Sequence, residues 1–269
     1  MELQIAGTRA HIYTGTKSLD PTQPTVSFIH GAGLDHSVWQ LQSRYFAFRG
    51  WNVLAPDLPG HGRSAGAALT SVPVQAHWLQ ALLDAVGVER AALVGHSMGS
   101  LVTLEAAACW PERVMGLALL ATAAPMPVAA PLLLAARDDV STAIQMITVW
   151  SHGSCGRIGG NPVPGQWLPG LTRRLLERAG PGVLYTDLAA CDQYRIGLER
   201  AAAVICPSLV ISGANDLMTP ARSSDALARA LNDARRVLIP GAGHSLMAEA
   251  PDAVLDALIQ FLVITPATS

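Results

Sequence analysis

Charge is scarce in this chain of 269 residues: Asp, Glu, Lys and Arg make up 14 %, and 18 basic against 20 acidic residues leave a formal net charge of -2. Without a basic field there is no electrostatic footprint for nucleic acid or an anionic membrane, so neither is expected as a partner. Cysteine is sparse too. Cys109, Cys155, Cys191 and Cys206 form no Cys-x-x-Cys pair. That speaks against a zinc or redox motif, and the four read as reduced, buried thiols of a cytoplasmic protein with no metal and no cofactor. The start, Met1-Glu2-Leu3-Gln4-Ile5, has an acid where an export signal carries lysine or arginine. A long unbroken apolar run is also missing. Val114 to Ala136 comes nearest, free of charge between Arg113 and Arg137, but Pro125, Pro127 and Pro131 interrupt it. It reads as a buried strand and an apolar connection, not as a spanning helix.

Half of the residues are hydrophobic, and a chain of this length buries roughly three quarters of its unfolded surface. One α/β domain carrying an insertion fits. Leu3-Ile5 and Ala10-Tyr13 read as an opening hairpin around Gly7 and Thr8. Val26 to Ile29 and Asn52 to Ala55 read as buried strands, with a helix from Trp39 to Phe48 between them. Pro73 suits the first turn of a helix running to Ala85, along which Trp78, Leu79, Leu82, Leu83 and Val86 recur at helical spacing. Ala91 to Val94 and Val114 to Leu120 continue the strands, with a helix from Leu101 to Trp110 between. Such alternation predicts a mostly parallel twisted sheet with helices on both faces. After Thr122 the rhythm stops. Helices from Ala136 to Trp150 and Leu171 to Ala179, joined by a segment rich in glycine and proline, suggest a helical cap over 125–200, inserted into a core of 1–124 and 201–269. Strands at Ser208 to Ser212 and Arg235 to Ile239, and helices at 221–231 and 252–262, complete the core.

The chain is organised around Gly95-His96-Ser97-Met98-Gly99, a serine flanked by glycines where a buried strand turns into a helix. A turn this tight leaves no room for side chains at the glycines and thrusts the serine outward, at a helix N-terminus that favours developing negative charge. In parallel sheets ligands sit at the carboxyl ends of the strands. Asp216, in Gly213-Ala214-Asn215-Asp216, and His244, in Gly241-Ala242-Gly243-His244, follow two later strands. Ser97, Asp216 and His244 thus become nucleophile, orienting acid and base. Asp57 is passed over because it falls in a glycine-rich loop early in the chain, which it ties together. Among the other histidines, His30 and His61 read as loop-shaping, His96 as pointing away from the serine, and His36 as a residue of the site mouth or the surface. The backbone N–H groups of Met98 and Ala32 are the candidate oxyanion donors.

In these segments the chain resembles the α/β-hydrolase superfamily. His30-Gly31-Ala32-Gly33, Asp57-Leu58-Pro59-Gly60-His61-Gly62-Arg63-Ser64 and the three motifs above match in order and approximate spacing. The resemblance implies the α/β-hydrolase fold and a Ser97–His244–Asp216 triad, and it covers the core but not the cap. It leaves the substrate open, since one scaffold hosts many chemistries. Members that use aspartate as nucleophile, dehalogenases and epoxide hydrolases, are set aside by Ser97. A loose likeness to small bacterial esterases and enol-lactonases favours a small-molecule carboxylic ester or lactone. Cleavage of a carbon–carbon bond in a vinylogous diketone is the runner-up, and a non-catalytic small-molecule receptor the alternative of another class. Met126, Met146, Trp150 and Trp167 are expected pocket residues, with Leu132, Leu133, Leu134 and Leu168 as further apolar lining. Arg157, Arg173, Arg174, Arg178 and Arg195 stand either in solvent or beside a substrate carboxylate. A monomer or homodimer is expected.

Overall fold

The computed structural model describes residues 1–157 and 165–264. Eight strands form one sheet: β1 (Glu2–Ile5), β2 (Thr8–Tyr13), β3 (Thr25–Ile29), β4 (Asn52–Pro56), β5 (Ala91–His96), β6 (Val114–Leu120), β7 (Ser208–Gly213) and β8 (Ala234–Ile239). Their spatial order is β1-β2-β4-β3-β5-β6-β7-β8. Only β1–β2 and β2–β4 are antiparallel; β4 through β8 run parallel.

Parallel strands need covered crossovers, so both faces of the sheet are dry. Along β5, Ala91 and Leu93 face one apolar cluster and Ala92 and Val94 the other, the period-2 alternation of a pleated strand. The first cluster takes in helices α2 (Val72–Ala85) and α3 (Met98–Cys109); the second takes in α1 (Gln40–Ala47) and the last helix (Pro251–Ile264). Trp78, Leu79, Leu82 and Leu83 all sink into the first cluster, which explains their helical spacing.

Between β6 and β7 lie α4 (Ala130–Asp138), α5 (Val140–Trp150), α6 (Ser154–Arg157), α7 (Leu168–Glu177), α8 (Val183–Gln193) and α9 (Gly197–Ala203). They bury a small cluster of their own, including Leu132, Ile144, Ile147, Leu176, Leu184 and Leu188. Two expectations need correction here. The single helix from Ala136 to Trp150 is two helices, because Asp139 leaves helical geometry and its carboxylate accepts from Thr142 N–H at 3.2 Å as an N-cap. The expected apolar connection reaching Ala136 ends instead at Ala129, because Pro131 stands in the first turn of α4, where its missing N–H costs nothing. After β7 come a short 3-10 turn, Ala221–Ser224, and α10 (Asp225–Ala230); after β8 come α11 (Leu246–Glu249) and α12 (Pro251–Ile264). No helix among the described residues is long and apolar enough to cross a membrane. Of the cysteines, Cys191 and Cys206 are buried but Cys109 is exposed near the end of α3, contrary to expectation; the Cys155 side chain lies outside the described residues.

Candidate active site

Ser97 sits alone between β5 and α3 at φ 53° and ψ -119°. For a residue with a Cβ this backbone costs about 1–3 kcal/mol. Neighbouring contacts hold it: Ser97 N–H donates to Leu120 O at 2.9 Å, and Ser97 O accepts from Ser100 N–H at 2.8 Å. The flanking glycines are sterically required. A Cβ on Gly95 would lie 2.2 Å from Gly99 O, and one on Gly99 would lie 2.4 Å from Ile29 O and 2.5 Å from His30 O.

The loop after β3 lies against the serine, since a Cβ on Gly31 would stand 3.2 Å from Ser97 Cβ. Gly31 O accepts from His30 Nδ1 at 2.9 Å and from Leu34 N–H at 3.2 Å. That carbonyl shares its rigid peptide plane with Ala32 N–H, so the two donors fix the direction of the Ala32 donor as well. His30 Nε2 faces Leu58 N–H at 3.1 Å and is therefore an acceptor, with the ring proton on Nδ1. Burial, reinforced by the neighbouring His61, lowers its pKa to about 4 and keeps it neutral. Among the described residues, Ala32 N–H and Met98 N–H reach no turn, loop or side-chain acceptor.

His244 Nδ1 is 2.8 Å from Asp216 Oδ2. The carboxylate is tightly held: Oδ1 accepts from Met218 N–H (2.8 Å) and Thr219 N–H (2.9 Å), and Oδ2 also accepts from Thr219 Oγ1 (2.8 Å). Burial alone would raise the Asp216 pKa, but the His244 charge and these donors outweigh it and lower it from 3.8. With Nδ1 so occupied, Nε2 is the ring atom left for the cavity. Among the described residues neither His244 Nε2 nor Ser97 Oγ has a hydrogen-bond partner, and Ser97 and His244 line the same cavity of about 330 Å³. His96 Nε2 lies 2.9 Å from His244 O and so holds the backbone of that turn. Burial first, then the neighbouring His244, lowers the His96 pKa to about 3, so His96 is neutral and its Nε2 carries the proton.

The cavity wall is mostly apolar, with Met126, Leu132, Ile147, Trp150, Leu175 and Leu188 from the segment between β6 and β7 and Val38, Leu41 and Met247 from the other side. Glu249 ties that segment to the His244 turn. Its Oε1 accepts from Gly153 N–H and its Oε2 from Gly243 N–H, each at 2.7 Å. Burial raises the Glu249 pKa, and the two N–H donors offset this only in part.

The sequence profile of the alpha/beta hydrolase family matches residues 28–257. The chain belongs to the α/β-hydrolase family. Among its α/β-hydrolase relatives, a protein that carries the name carbamate hydrolase RutD, from Klebsiella pneumoniae (strain 342), is 30 % identical over 238 residues, covering 84 % of this chain and 86 % of that one. The pimeloyl-[acyl-carrier protein] methyl ester esterase of Aromatoleum aromaticum is 27 % identical over 86 % of this chain and 94 % of its own. In fold the chain matches the crystal structure of an enol-lactonase from Burkholderia xenovorans LB400 with a TM-score of 0.87 at 23 % identity, over 98 % of this chain and all of that one.

Set against the sequence reading, this α/β-hydrolase brings Ser97, Ala32 and His244 to one cavity, with Asp216 behind His244. Met126, Trp150 and Leu132 line that cavity; Met146, Trp167, His36, Leu133, Leu134 and Leu168 do not. Met146, half-buried on α5, packs against the cluster of the inserted helices. Trp167 is 69 % exposed, its ring covering Gly170 on the outside. His36 turns away because Asp57 Oδ1 takes both its N–H and its Nδ1, at 2.8 and 2.7 Å. Asp57 does tie its loop together, also accepting from Arg63 N–H at 2.8 Å. Burial opposes ionisation of Asp57, yet the His36 contacts and Arg63 N–H bring its pKa down to about 2. His11 joins this pair, and donor atoms of His11, His36 and Asp57 come within 4.8 Å of one another, a meeting invisible in a sequence that separates them. Of the arginines, Arg178 lines the cavity but pairs with Asp35 at 3.2 Å. Arg173 and Arg174 pair with Glu177, and Arg195 with Asp192; the Arg157 side chain lies outside the described residues. Sequence reasoning had His96 pointing away from the serine but not its contact to His244 O, and it missed Thr219, which holds Asp216 by hydroxyl and N–H, and Glu249, which holds two backbone N–H groups; no motif marks these contacts.

Proposed function

We propose that this α/β-hydrolase is a serine hydrolase that cleaves a small, largely apolar carboxylic ester or lactone through an acyl-enzyme, with 125–200 acting as its cap. The observation that carries this reading is the conjunction at one cavity. Ser97 at its elbow, Ala32 in the loop after β3, and His244, whose other ring nitrogen is held by a buried carboxylate, all line a mostly apolar space of about 330 Å³, a size suited to a small ligand.

In the proposed reaction the substrate carbonyl lies with its oxygen toward Ala32 N–H and Met98 N–H. Ser97 Oγ attacks the carbonyl carbon while His244 Nε2 takes the hydroxyl proton, a contact that tightens when substrate binds. Asp216 holds the tautomer with the proton on Nδ1 and stabilises the imidazolium that forms. The two N–H groups stabilise the oxyanion, each contributing about 3 kcal/mol at the transition state. His244 then gives its proton to the departing alkoxide. Water, deprotonated by the same nitrogen, attacks the acyl-enzyme; the adduct collapses to release the acid as His244 returns that proton to Ser97 Oγ.

Turnover of p-nitrophenyl esters of graded acyl length, aliphatic lactones, a methyl ester and an N-alkyl carbamate tests this. The expected result is turnover of short esters or lactones that Ser97→Ala lowers on the order of a million-fold. Turnover of the carbamate alone would move the assignment toward the relative that carries that name. Covalent labelling of Ser97 by a fluorophosphonate without turnover of any ester would favour a receptor.

A further inference from the structure

We infer that Asp187, on helix α8, is a positioning residue for the oxyanion loop, which it clamps through Gly33 N–H together with His61. The inference rests on the hydrolase reading above, because a loop that holds no oxyanion needs no such precision.

The side chain reaches the loop from the segment that roofs the site. Asp187 is fully buried, and its Oδ2 accepts from Gly33 N–H at 2.8 Å and from His61 Nε2 at 2.7 Å. Oδ1 is sealed from solvent and has no partner among the described residues, so the carboxylate's hydrogen bonds to those residues are concentrated on Oδ2. His61 Nδ1 faces Pro59 O at 3.0 Å, and a carbonyl only accepts. With a carbonyl at one nitrogen and a carboxylate at the other, His61 is an imidazolium donating at both ends. The ring of neutral His30, 4.8 Å away centre to centre, and the Asp57 carboxylate are the other titratable groups facing it.

Gly33 is where the loop most needs an anchor. It occupies the third position of the turn closed by Leu34 N–H to Gly31 O, at φ 66°, a conformation open to glycine and rare for other residues. The plane bearing Ala32 N–H is fixed by His30 and Leu34; the next plane, bearing Gly33 N–H, is fixed by Asp187. Without that acceptor the Ala32–Gly33 peptide loses its anchor, since glycine offers little steric resistance, and the loosened turn shifts Leu34 N–H, one of the two donors on Gly31 O that aim the Ala32 N–H. Leu176 and Leu184 crowd the same spot, each 3.0 Å from where a Gly33 Cβ would be, so roof and loop meet at this point.

The test compares wild type with Asp187→Ala and Asp187→Asn on the fastest p-nitrophenyl ester, alongside Ser97→Ala. It also measures affinity for a trifluoromethyl ketone, which forms an oxyanion on Ser97, and thermal unfolding. Asp187→Ala is expected to lower kcat about 10- to 100-fold, the scale of a catalytic group misplaced by an ångström, with KM within threefold. Ketone affinity should fall in parallel. Asp187→Asn, which retains an oxygen to accept from Gly33 N–H, should recover most of kcat. If Asp187→Ala gives no cooperative unfolding transition, Asp187→Glu replaces it: charge is kept but the acceptor is displaced, and kcat should fall while KM holds. A folded Asp187→Ala with kcat within threefold of wild type overturns the clamp, as does a loss confined to KM or to melting temperature. Wild-type protein without Ser97-dependent turnover overturns the hydrolase reading instead, and the clamp with it.

Discussion

Asp216→Asn separates the chemical role of the acid from its structural one. Oδ1 serves the Met218 and Thr219 N–H groups, and an asparagine oxygen placed there keeps both. The amide nitrogen then replaces Oδ2, which faces His244 Nδ1 at 2.8 Å and Thr219 Oγ1 at 2.8 Å. The threonine hydroxyl adapts by accepting. The imidazole does not adapt without cost: an N–H facing Nδ1 forces that nitrogen to be the acceptor and moves the ring proton to Nε2, the atom that takes a proton from Ser97 in the proposed reaction. The same exchange in another serine hydrolase costs about 10⁴ in kcat, equivalent to about 5.4 kcal/mol at 1.36 kcal/mol per decade. Steady-state hydrolysis of a p-nitrophenyl ester at pH 7–8, with melting followed in parallel, is the assay. The variant should melt close to wild type yet lose about four decades of kcat. Because the Asp216 pKa is lowered on folding, its charge stabilises above the unfolded value, and this is lost as pH falls through the folded value. Any wild-type advantage in melting should therefore fade below about pH 4. A variant keeping more than about a hundredth of wild-type kcat would refute the assignment of Asp216 as the orienting acid.

Gly99→Ala should cost about 2–3 kcal/mol by overpacking, because its Cβ meets two backbone carbonyls of the β3 end at 2.4 and 2.5 Å; calorimetry should show melting lowered by roughly 5–10 °C. Glu105→Gln removes the charge that accepts from Tyr194 Oη (2.6 Å) and Arg200 Nε (2.9 Å) and so ties α3 to the end of α8 and to α9. Since Arg200 is a third exposed, a loss of about 1–2 kcal/mol in urea unfolding is expected. Burial opposes the charge of His61, but the Asp187 carboxylate outweighs it and raises the pKa above 6.5. The resulting stability is full below pH 6.5 and disappears as pH rises through the raised folded value. Wild type should therefore lose its melting advantage over His61→Gln on going to alkaline pH, and a constant difference from pH 5 to 9 would contradict the ion pair.

The parts legible in the sequence are those governed by local rules. Buried parallel strands appear as short apolar runs, so β6 was bounded at Val114 and Leu120 from the pattern alone. The elbow glycines were legible because sterics leave few alternatives where β5 turns into α3. What escaped depends on distance in space. Helices α8 and α9 carry no strong amphipathic rhythm, since Asp187 and Cys191 are buried beside Leu184 and Leu188. The Asp187 clamp joins residues 154 and 126 positions apart. Large apolar side chains in the inserted segment looked equally suited to the cavity, but only packing separates Trp150, which lines it, from Trp167, which stands in solvent. His36 was misread because its proximity to Trp39 in sequence said nothing of Asp57, which captures it.

Covalent labelling by a fluorophosphonate, followed by intact mass and peptide mapping, tests the central claim most directly. The account predicts a single adduct on Ser97 that forms quickly in wild type, on the order of 10⁴ times more slowly in Asp216→Asn, and not at all in Ser97→Ala. An adduct on another residue, or equal labelling rates in wild type and Asp216→Asn, would contradict it.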